Sequence, residues 1–562
     1  MKICSLRFEF IVFSQIGMPR AIGHRALTLP ARHTQRKRDV MESVLNWLTS
    51  QHPNLVQDLA NLVAIPSIST DGRHQQEIEQ TAALTCDQMR AAGLQNVEIL
   101  RTGESNPYAY GEWLGAPGKP TVFLYAHHDV QPVNFESEWR SPAWTLTQRD
   151  GRLFGRGAAD DKGAITAQLG AISAFLKTRG HLPVNVKMLV EGEEEVGSSN
   201  LLGFFNQYRD KIFSDVIVVF DTENIEVGLP CITYALRGIV SALVEVESAR
   251  IPVHSGMAGG ALADATMALN VILARLYWNR GKLPVPGLYK TVRPMTEQER
   301  RKVEQLPFDE AKLRHELGVL DTVTLATERN TGVYEQTWRK PAVTIIAQEA
   351  SSIQGASNQV LPKASAIVSC RIVPDQDPDE VFGQLHDFLT KDPPWGVRVN
   401  VKPHGNVKWW MTDPRGPAFE AAVDAMKAAY QRDPAAIGCG GTIGFVGPLA
   451  ELFDNAPALL LGIEDPASNA HAPNESLHEG DWHKLMVSLA YLFENLSSLE
   501  SVKAPPMAEE AKPAPAREKP QKRRTAVKKP VPKERPAVRV RAQKRPAAKA
   551  AKRSARRPAR RR

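Results

Sequence analysis

Residues 121–129 read TVFLYAHHD, a short apolar run that ends in two histidines and an aspartate. The same arrangement returns three times, with VKMLV before EGEEEVGS at 186–198, VIVVF before DTEN at 216–224 and ALLLGI before EDPASNAH at 458–471. Apolar runs of this length fit strands that are buried on both faces of a sheet. We therefore predict a mostly parallel sheet whose strands end in acidic residues and histidines.

Helical stretches separate these strands. In residues 161–180, DKGAITAQLGAISAFLKTRG, the side chains of Ile165, Leu169 and Ile172 recur at helical spacing, and Gly180 marks the end. Alternating strands and helices predict an α/β fold in which helices flank both faces of the sheet. Ligands of such sheets bind beyond the carboxyl ends of the strands, which is where the acidic and histidine clusters fall.

The middle of the chain has a different pattern. Residues 238–248 alternate apolar and polar as a half-exposed strand does, residues 261–278 read as a helix, and residues 364–373 read as another strand. We therefore predict that an α+β domain is inserted into the α/β domain. The predicted organisation is an unstructured or non-native extension at 1–40, a catalytic domain at 41–235 and 406–499, an inserted lid and dimerisation domain at 236–405, and a tail at 500–562.

The charge of the chain is uneven. The whole chain carries +8, but residues 501–562 hold 23 Lys/Arg and 4 Asp/Glu, so this tail carries +19 and residues 1–500 carry −11. The tail has almost no large apolar residues to offset its chain entropy, and we predict that it is disordered. It could bind nucleic acid or other polyanions without sequence preference, although it has no aromatic residues for base stacking. We treat such binding as an accessory property of an enzyme.

The cysteines and the apolar runs indicate the cellular compartment of the protein. The five cysteines are far apart and without CxxC spacing, which argues against a disulfide framework and a cysteine zinc site: Cys4, Cys86, Cys231, Cys370 and Cys439. No apolar run approaches the roughly 18 residues of a membrane span. Residues 8–13 make a poor secretory signal because Glu9 interrupts them. We expect a cytoplasmic protein that does not enter a membrane.

The polar clusters offer ligands for metal ions. Two metals held close together need a bridging carboxylate, terminal His or carboxylate ligands and an open position for water. The candidates are His127, Asp129, Asp160, Glu194, Glu195, Asp221 and His471. Each has an ordinary explanation, since a lone HxD histidine is usually structural, an acidic run such as EGEEE is usually a solvated loop, and a DD pair is usually a helix N-cap. Their joint position at five predicted strand ends favours a metal site.

Four motifs resemble those of the metallopeptidase family that includes carnosine dipeptidase, carboxypeptidase G and peptidase V. They are AHHDVQP, GRGAADDKG, EGEEEVGS and a terminal NAH, and they occur in the expected order within a similarity that covers residues 41–499. Ala126 replaces the glycine that is usual in the first motif, a change that does not touch the ligand. The resemblance implies a two-metal enzyme that hydrolyses dipeptides or short peptides with a free C-terminal carboxylate.

The resemblance also implies a ligand set. The ligands would be His127, Asp160 and Asp221 for one ion, and Asp160, Glu195 and His471 for the other. Asp160 would bridge the two, and a cis peptide bond is implied between Asp160 and Asp161. Zinc is the expected metal, with manganese or cobalt as alternatives. Glu194 would be the general base, and Asp129 would orient His127.

Substrate contacts are implied for four further residues. His254, in an HSG motif, would stabilise the oxyanion across a homodimer, the alternative being a histidine that caps a turn within its own subunit. Arg371 would bind the free carboxylate of the substrate, the alternative being a strand-edge arginine that faces solvent. Asn358, or alternatively Gln359, and Thr442 occupy weaker equivalent positions.

Two other functions stay open. An N-acyl amino acid deacylase would share the metal site, although an inserted domain of roughly 170 residues resembles the dipeptidase branch more closely. An inactive homologue is disfavoured because every implied ligand is present.

Overall fold

The computed structural model describes residues 31–277 and 280–499. The predicted tail at 500–562 and most of the predicted extension at 1–40 lie outside these residues. The first helix begins at Ala31, ten residues before the predicted boundary at Met41.

The secondary structure alternates along most of the chain. The helices are α1 (Ala31–Val63), α2 (Gln75–Ala92), α3 (Lys162–Arg179), α4 (Leu201–Gln207), α5 (Arg209–Ile212), α6 (Ser255–Ala258), α7 (Ala265–Ala274), α8 (Glu297–Glu304), α9 (Glu310–Glu316), α10 (Val333–Arg339), α11 (Pro378–Thr390), α12 (Pro417–Tyr430), α13 (Val446–Leu452) and α14 (Glu479–Leu496). The strands are β1 (Gln95–Leu100), β2 (Tyr108–Trp113), β3 (Thr121–His127), β4 (Thr147–Arg149), β5 (Arg152–Phe154), β6 (Asn185–Glu191), β7 (Val216–Glu223), β8 (Cys231–Leu236), β9 (Gly238–Glu247), β10 (Val253–His254), β11 (Ala342–Glu349), β12 (Gln359–Val360), β13 (Lys363–Ile372), β14 (Arg398–Val407), β15 (Trp410–Met411), β16 (Ala435–Cys439), β17 (Ala458–Glu464) and β18 (Ser476–His478).

The four apolar runs of the sequence form the centre of the larger sheet. Its strand order is β1-β2-β6-β3-β7-β17-β8-β15, with β16 paired to β8. The central pairs β6–β3, β3–β7 and β7–β17 are parallel, whereas β1–β2, β2–β6 and β17–β8 are antiparallel. The prediction of a mostly parallel α/β sheet is therefore confirmed for the strands that end at the acidic clusters.

Helices cover both faces of this sheet, as the strands' two-sided burial requires. Along β3, Val122 and Leu124 pack in the core formed with α1, α2, α3, α12 and α14, whereas Phe123 and Tyr125 pack in the core formed with α4 and α13. The indole of Trp482 on α14 is buried and donates to the carbonyl of Gly163 at 2.9 Å. This bond fixes α14 to the start of α3, close to the Asp160–Asp161 pair.

A second sheet lies between residues 238 and 407. Its order is β11-β13-β9-β14, all antiparallel, and it has its own apolar core with α7 and α11. The strands predicted at 238–248 and 364–373 are confirmed as β9 and β13. The helix predicted over 261–278 is shorter, because the Asp264 carboxylate accepts from the N–H of Met267 at 2.9 Å and caps α7 there. All described residues belong to one compact unit, so the division into two domains stays a prediction.

The cysteines in the described ranges are all unpaired thiols, namely Cys86, Cys231, Cys370 and Cys439. Within the same ranges we find no helix with the length and apolar character needed to cross a membrane.

Candidate metal centre

The predicted ligands converge at the carboxyl edge of the parallel strands. His127 ends β3, Asp221 lies near the end of β7, and Glu195 lies in a 3-10 turn directly after β6. Asp160 precedes α3, and His471 follows β17. Parallel strands end at the same edge of a sheet, which brings residues that are far apart in the sequence into a single cluster.

The ligand atoms fall into two groups that share one carboxylate. Those of His127, Asp160 and Asp221 lie within 4.8 Å of one another, and so do those of Asp160, Glu195 and His471. Oδ1 of Asp160 lies 2.9 Å from Nε2 of His127, and Oδ2 lies 2.9 Å from Nε2 of His471. A carboxylate whose two oxygens face two different histidines is placed to bridge two cations.

The electrostatics of the cluster fit divalent metal ions. Burial and neighbouring carboxylates raise the pKa of Asp221 well above its usual range. Hydrogen bonds that the imidazole of His471 donates to the carboxylates of Asp160 and Glu195 raise its pKa to about 11. The cluster therefore favours the binding of positive charge. Carboxylates and imidazoles in two groups of three are a donor set that suits zinc and related ions.

Glu194 stands beside these ligands and belongs to neither group. It begins the 3-10 turn Glu194–Val196, and its neighbour Glu195 belongs to one of the two groups that could hold a metal ion. Burial raises the pKa of Glu194 to about 8, and the carboxylates of Glu195 and Asp160 add to the effect. This is the position expected for a group that exchanges a proton with water at the metal centre.

Asp129 contacts more groups than its predicted partner His127. Nδ1 of His127 lies 3.0 Å from the backbone oxygen of Asp129 and 3.4 Å from its Oδ1. The Asp129 carboxylate also accepts from the N–H of Glu194 at 3.2 Å, from the N–H of Glu195 at 3.1 Å and from the hydroxyl of Ser69 at 2.6 Å. One buried carboxylate therefore positions both the histidine ligand and the turn that carries Glu194.

The ordinary explanations of two motifs do not hold. The peptide bond between Asp160 and Asp161 is cis, as the resemblance implies. No side chain caps α3, and Oδ2 of Asp161 instead accepts from the N–H of His127 at 3.2 Å. The acidic run is not a solvated loop, because Glu191 is buried and accepts from the Tyr125 hydroxyl at 2.5 Å.

Glu475 joins the two loops of the centre and is not among the predicted site residues. Its Oε1 accepts from the N–H of Asp160 at 3.2 Å, and its Oε2 accepts from the N–H of Gly157 at 3.1 Å and from the Arg156 guanidinium at 2.6 Å. Glu475 is fully buried and lies four residues after His471. The only sign of Glu475 in the sequence was its closeness to the candidate ligand His471. The groups that it binds lie more than 300 positions away in the sequence.

Arg371 and Thr442 form a separate group beside the centre. Arg371 donates to Oγ1 of Thr442 at 2.6 Å, and that hydroxyl donates to the carbonyl of Arg237 at 2.7 Å. Arg371 lies on β13, an inner strand, so the strand-edge alternative is wrong. Burial and the neighbouring Arg371 lower the pKa of Arg237 to about 10. In the described part of the chain no carboxylate forms an ion pair with the guanidinium of Arg237 or Arg371. A bound anion would supply the negative charge that both groups lack.

His254 and Asn358 lie together, apart from both groups of metal ligands. The ladder of β10 and β12 pairs His254 with Gln359, and the N–H of Ser255 donates to the carbonyl of Asn358 at 2.8 Å. His254 is exposed, and its Nδ1 accepts from the N–H of Gly256 at 3.0 Å. Within one chain His254 thus caps a turn, the alternative left open by the sequence.

Known proteins resemble this chain over most of its length. Residues 123–495 match the family described as Peptidase family M20/M25/M40. A cysteinylglycine-S-conjugate dipeptidase of Corynebacterium striatum is 31% identical over 432 residues, which are 76% of this chain and 92% of that protein. A Beta-Ala-His dipeptidase of Rattus norvegicus is 29% identical over 486 residues, 82% of this chain and 96% of that protein.

Solved structures agree with the sequence comparisons. The di-peptidase Dug1p of Saccharomyces cerevisiae superimposes with a TM-score of 0.74 at 25% identity, covering 82% of this chain and 99% of the other. Human carnosine dipeptidase 1 gives a TM-score of 0.73 at 27% identity with the same coverage. Because the family match spans more than half of the chain and includes all of the candidate ligands, this chain belongs to Peptidase family M20/M25/M40.

Proposed function

We propose that this chain is a metal-dependent dipeptidase that hydrolyses the peptide bond of dipeptides or short peptides with a free C-terminal carboxylate. The observation that carries the proposal is the pair of ligand groups that share Asp160, with Glu194 beside them and outside both. The C. striatum and R. norvegicus relatives are both named as dipeptidases, which supports dipeptide hydrolysis over removal of an acyl group from an amino acid.

Each residue of the centre has a separate role in the hydrolysis. When bound, two divalent ions (zinc is expected, with manganese or cobalt as alternatives) would acidify water and polarise the scissile carbonyl. Glu194 accepts the proton of the attacking water on its carboxylate and returns it to the leaving amine. Asp129 holds the backbone of Glu194 in place through a hydrogen bond of 3.2 Å. Glu475 fixes the loop of the bridging Asp160.

Arg371 is the proposed carboxylate-binding residue. Its guanidinium lies beside that of Arg237, and two adjacent cations without a carboxylate partner in the described residues suit the C-terminus of a dipeptide. Thr442 orients Arg371 through the 2.6 Å hydrogen bond. This arrangement gives a requirement for a free carboxylate that the metal centre alone would not impose.

A substrate panel tests the proposed function. The zinc-loaded enzyme should hydrolyse free dipeptides, and it should act poorly on the same dipeptides amidated at the C-terminus and on N-acetyl amino acids. Arg371→Ala should raise KM for a free dipeptide about tenfold to a hundredfold, the loss expected for a hydrogen-bonded charge pair, and should change little for the amidated one. Metal content measured on the same samples is the control. Equal hydrolysis of free and amidated dipeptides would exclude this role of Arg371.

We also propose a homodimer formed through the predicted domain at 236–405. Strand β11 is an edge strand with Ile346 57% exposed, and Met267 on α7 is also 57% exposed. The two elements are neighbours, since Gln348 donates to Oδ1 of Asn270 at 2.7 Å. An apolar edge strand beside an apolar helix favours pairing with a second copy. A dimer would also bring His254, which lies apart from its own chain's metal ligands, to the partner's centre.

Mixing two inactive variants tests the role of His254. Glu194→Gln lacks the base, and His254→Ala should lose about a hundredfold or more in rate because the oxyanion loses a donor. After dissociation and reassociation at equal amounts, each mixed dimer would contain one complete site, so about a quarter of the wild-type activity should return. Failure to regain activity, although mixed dimers are shown to form, would confine His254 to its own subunit.

The tail gives a separate proposal, which rests on charge alone. Truncation after Leu499 removes a segment of net charge +18, Glu500 included, and leaves residues 1–499 with a net charge of −10. The truncated enzyme should keep its dipeptidase activity and lose salt-sensitive binding to DNA. Binding titrations at low and high salt check this, and DNA binding by the truncated chain would contradict it.

We propose a cytoplasmic location for the enzyme. The support is the state of the cysteines, since the four that the structure describes are unpaired and three of them are buried. Unpaired buried thiols are typical of proteins that work in a reducing compartment.

A further inference from the structure

A cavity of about 820 Å³ opens beside the metal centre. One wall is formed by the ends of β7 and β17 and by Asn469 and Ala470, which directly precede the ligand His471. The opposite wall comes from residues 307–338. The cavity therefore borders the segment that leads into His471.

The opposite wall is apolar and aromatic. Tyr334 and Trp338 stack with ring centroids 4.7 Å apart, and Phe308 meets Tyr334 edge-on at 5.6 Å. Phe308 and Leu317 are exposed although they line the cavity. Exposed apolar side chains in a concave surface are typical of a place where the apolar part of a ligand binds.

The wall next to the metal centre carries two carboxylates that stand out from the other acids of the cavity. The acids with partners are Glu226 with Arg432 (2.7 Å), Asp465 with Arg152 (2.9 Å), Glu316 with Lys312 (3.8 Å) and Asp309, which accepts from the N–H groups of Ala311 (2.9 Å) and Lys312 (3.1 Å). The side chains of Glu223 and Glu464 form neither a hydrogen bond nor an ion pair with any residue that the structure describes. They are Cα partners on β7 and β17, so they enter the cavity side by side.

An ammonium group fits this pair better than a metal ion does. Neither carboxylate belongs to the groups of three ligands found among the described residues, so an ion here would lack a third protein ligand. An ammonium brings its own N–H donors and can serve two carboxylates at once. Arg237 lines the same cavity, next to Arg371. The cavity thus presents carboxylates in one place and guanidinium in another, which matches the two charged ends of an unblocked dipeptide.

We propose that this cavity is the subsite for the N-terminal residue of the substrate, with Glu464 and Glu223 binding its ammonium group and the apolar wall receiving its side chain. The proposal rests on the proposed dipeptidase function. The ammonium can be the α-amino group or that of a basic side chain, and the two sources are separable by experiment. Glu464 and Glu223 would then set which dipeptides the enzyme accepts.

Binding of uncleavable analogues tests this subsite. The probes are the ketomethylene analogue of Leu-Gly, the same analogue without its α-amino group, and an analogue without the α-amino group that has a lysine side chain. Calorimetry on the zinc-loaded, full-length enzyme should show that Glu464→Gln weakens binding of the first probe about tenfold or more and leaves the second unchanged. Weakening of the third probe as well would identify the side-chain ammonium as a further source.

Controls separate this subsite from the metal centre and from the proposed function. Glu223→Gln should act in the same direction, whereas Glu420→Gln, an exposed carboxylate on α12 outside the cavity, should bind all probes like the wild type. Equal weakening for all three probes, no weakening for any, or no preference of the wild type for the first probe over the second would overturn the proposal. A wild-type enzyme that prefers the amino analogue and cleaves no dipeptide would refute the dipeptidase function and leave the subsite standing.

Discussion

Glu194→Gln is expected to lower kcat by about a thousandfold or more while the metal content of the protein stays at the wild-type level. Glutamine keeps the size of the side chain and cannot accept a proton, and general bases commonly contribute about 10²- to 10⁴-fold. Glu194 belongs to neither group of ligands, so its loss should leave both groups complete. Turnover of a free dipeptide and metal analysis of the same preparation measure the two quantities.

Glu195→Gln is the matched control, because it changes the adjacent residue of the same turn. Glu195 belongs to the group with Asp160 and His471, and its carboxylate lies 3.1 Å from Nε2 of His471. This variant should therefore lose metal together with activity. If Glu194→Gln loses metal as well, Glu194 is a ligand and another group must accept the proton.

The metal centre could be predicted because its information is local in the sequence. Each ligand follows a short apolar run or sits in a compact motif, and the ends of parallel strands are brought together by the topology of the sheet. His127 and Asp221 needed only the recognition of β3 and β7 as strands. The strand pattern offered Glu194 and Glu195 alike as candidates, and the family resemblance is what implied that Glu194 is the base and Glu195 a ligand.

The residues that the sequence did not reveal act through distant contacts. Glu475 bonds Arg156, which is 319 positions away, and no local pattern marks that pair. Glu464 was part of a quoted motif, but its place in the cavity depends on Glu223 of the neighbouring strand and on the segment 307–338 across from it. Pairings of this kind are set by tertiary packing, which a reading of periodicity does not include.

The predicted substrate-binding residues show a second limit of prediction from the sequence. The sequence predicts His254, Asn358, Arg371 and Thr442 as contacts of one substrate. In one chain Arg371 and Thr442 are hydrogen-bonded to each other, whereas His254 and Asn358 lie on the separate β10–β12 ladder. The resemblance implies that His254 serves the partner's site, so its position relative to Arg371 of that site would be set by the assembly of two chains and not by the fold of one.

Asp160→Asn is expected to remove both metal ions and with them all measurable hydrolysis. Asp160 is the one residue common to the two ligand groups, and its two oxygens lie 2.9 Å from His127 and His471. An asparagine offers a single neutral oxygen in place of a shared carboxylate, so neither group keeps three ligands of the right charge. Metal analysis after exhaustive dialysis should find almost no bound ion.

Asp221→Asn is the matched control for the metal loss expected of Asp160→Asn. Asp221 belongs only to the group with His127, so its loss should leave the group of Asp160, Glu195 and His471 intact and about one ion bound per chain. Circular dichroism of both variants, compared with the metal-free wild type, separates loss of metal from loss of fold. Retention of one ion by Asp160→Asn would mean that Asp160 serves a single metal and that the two groups do not share a bridge.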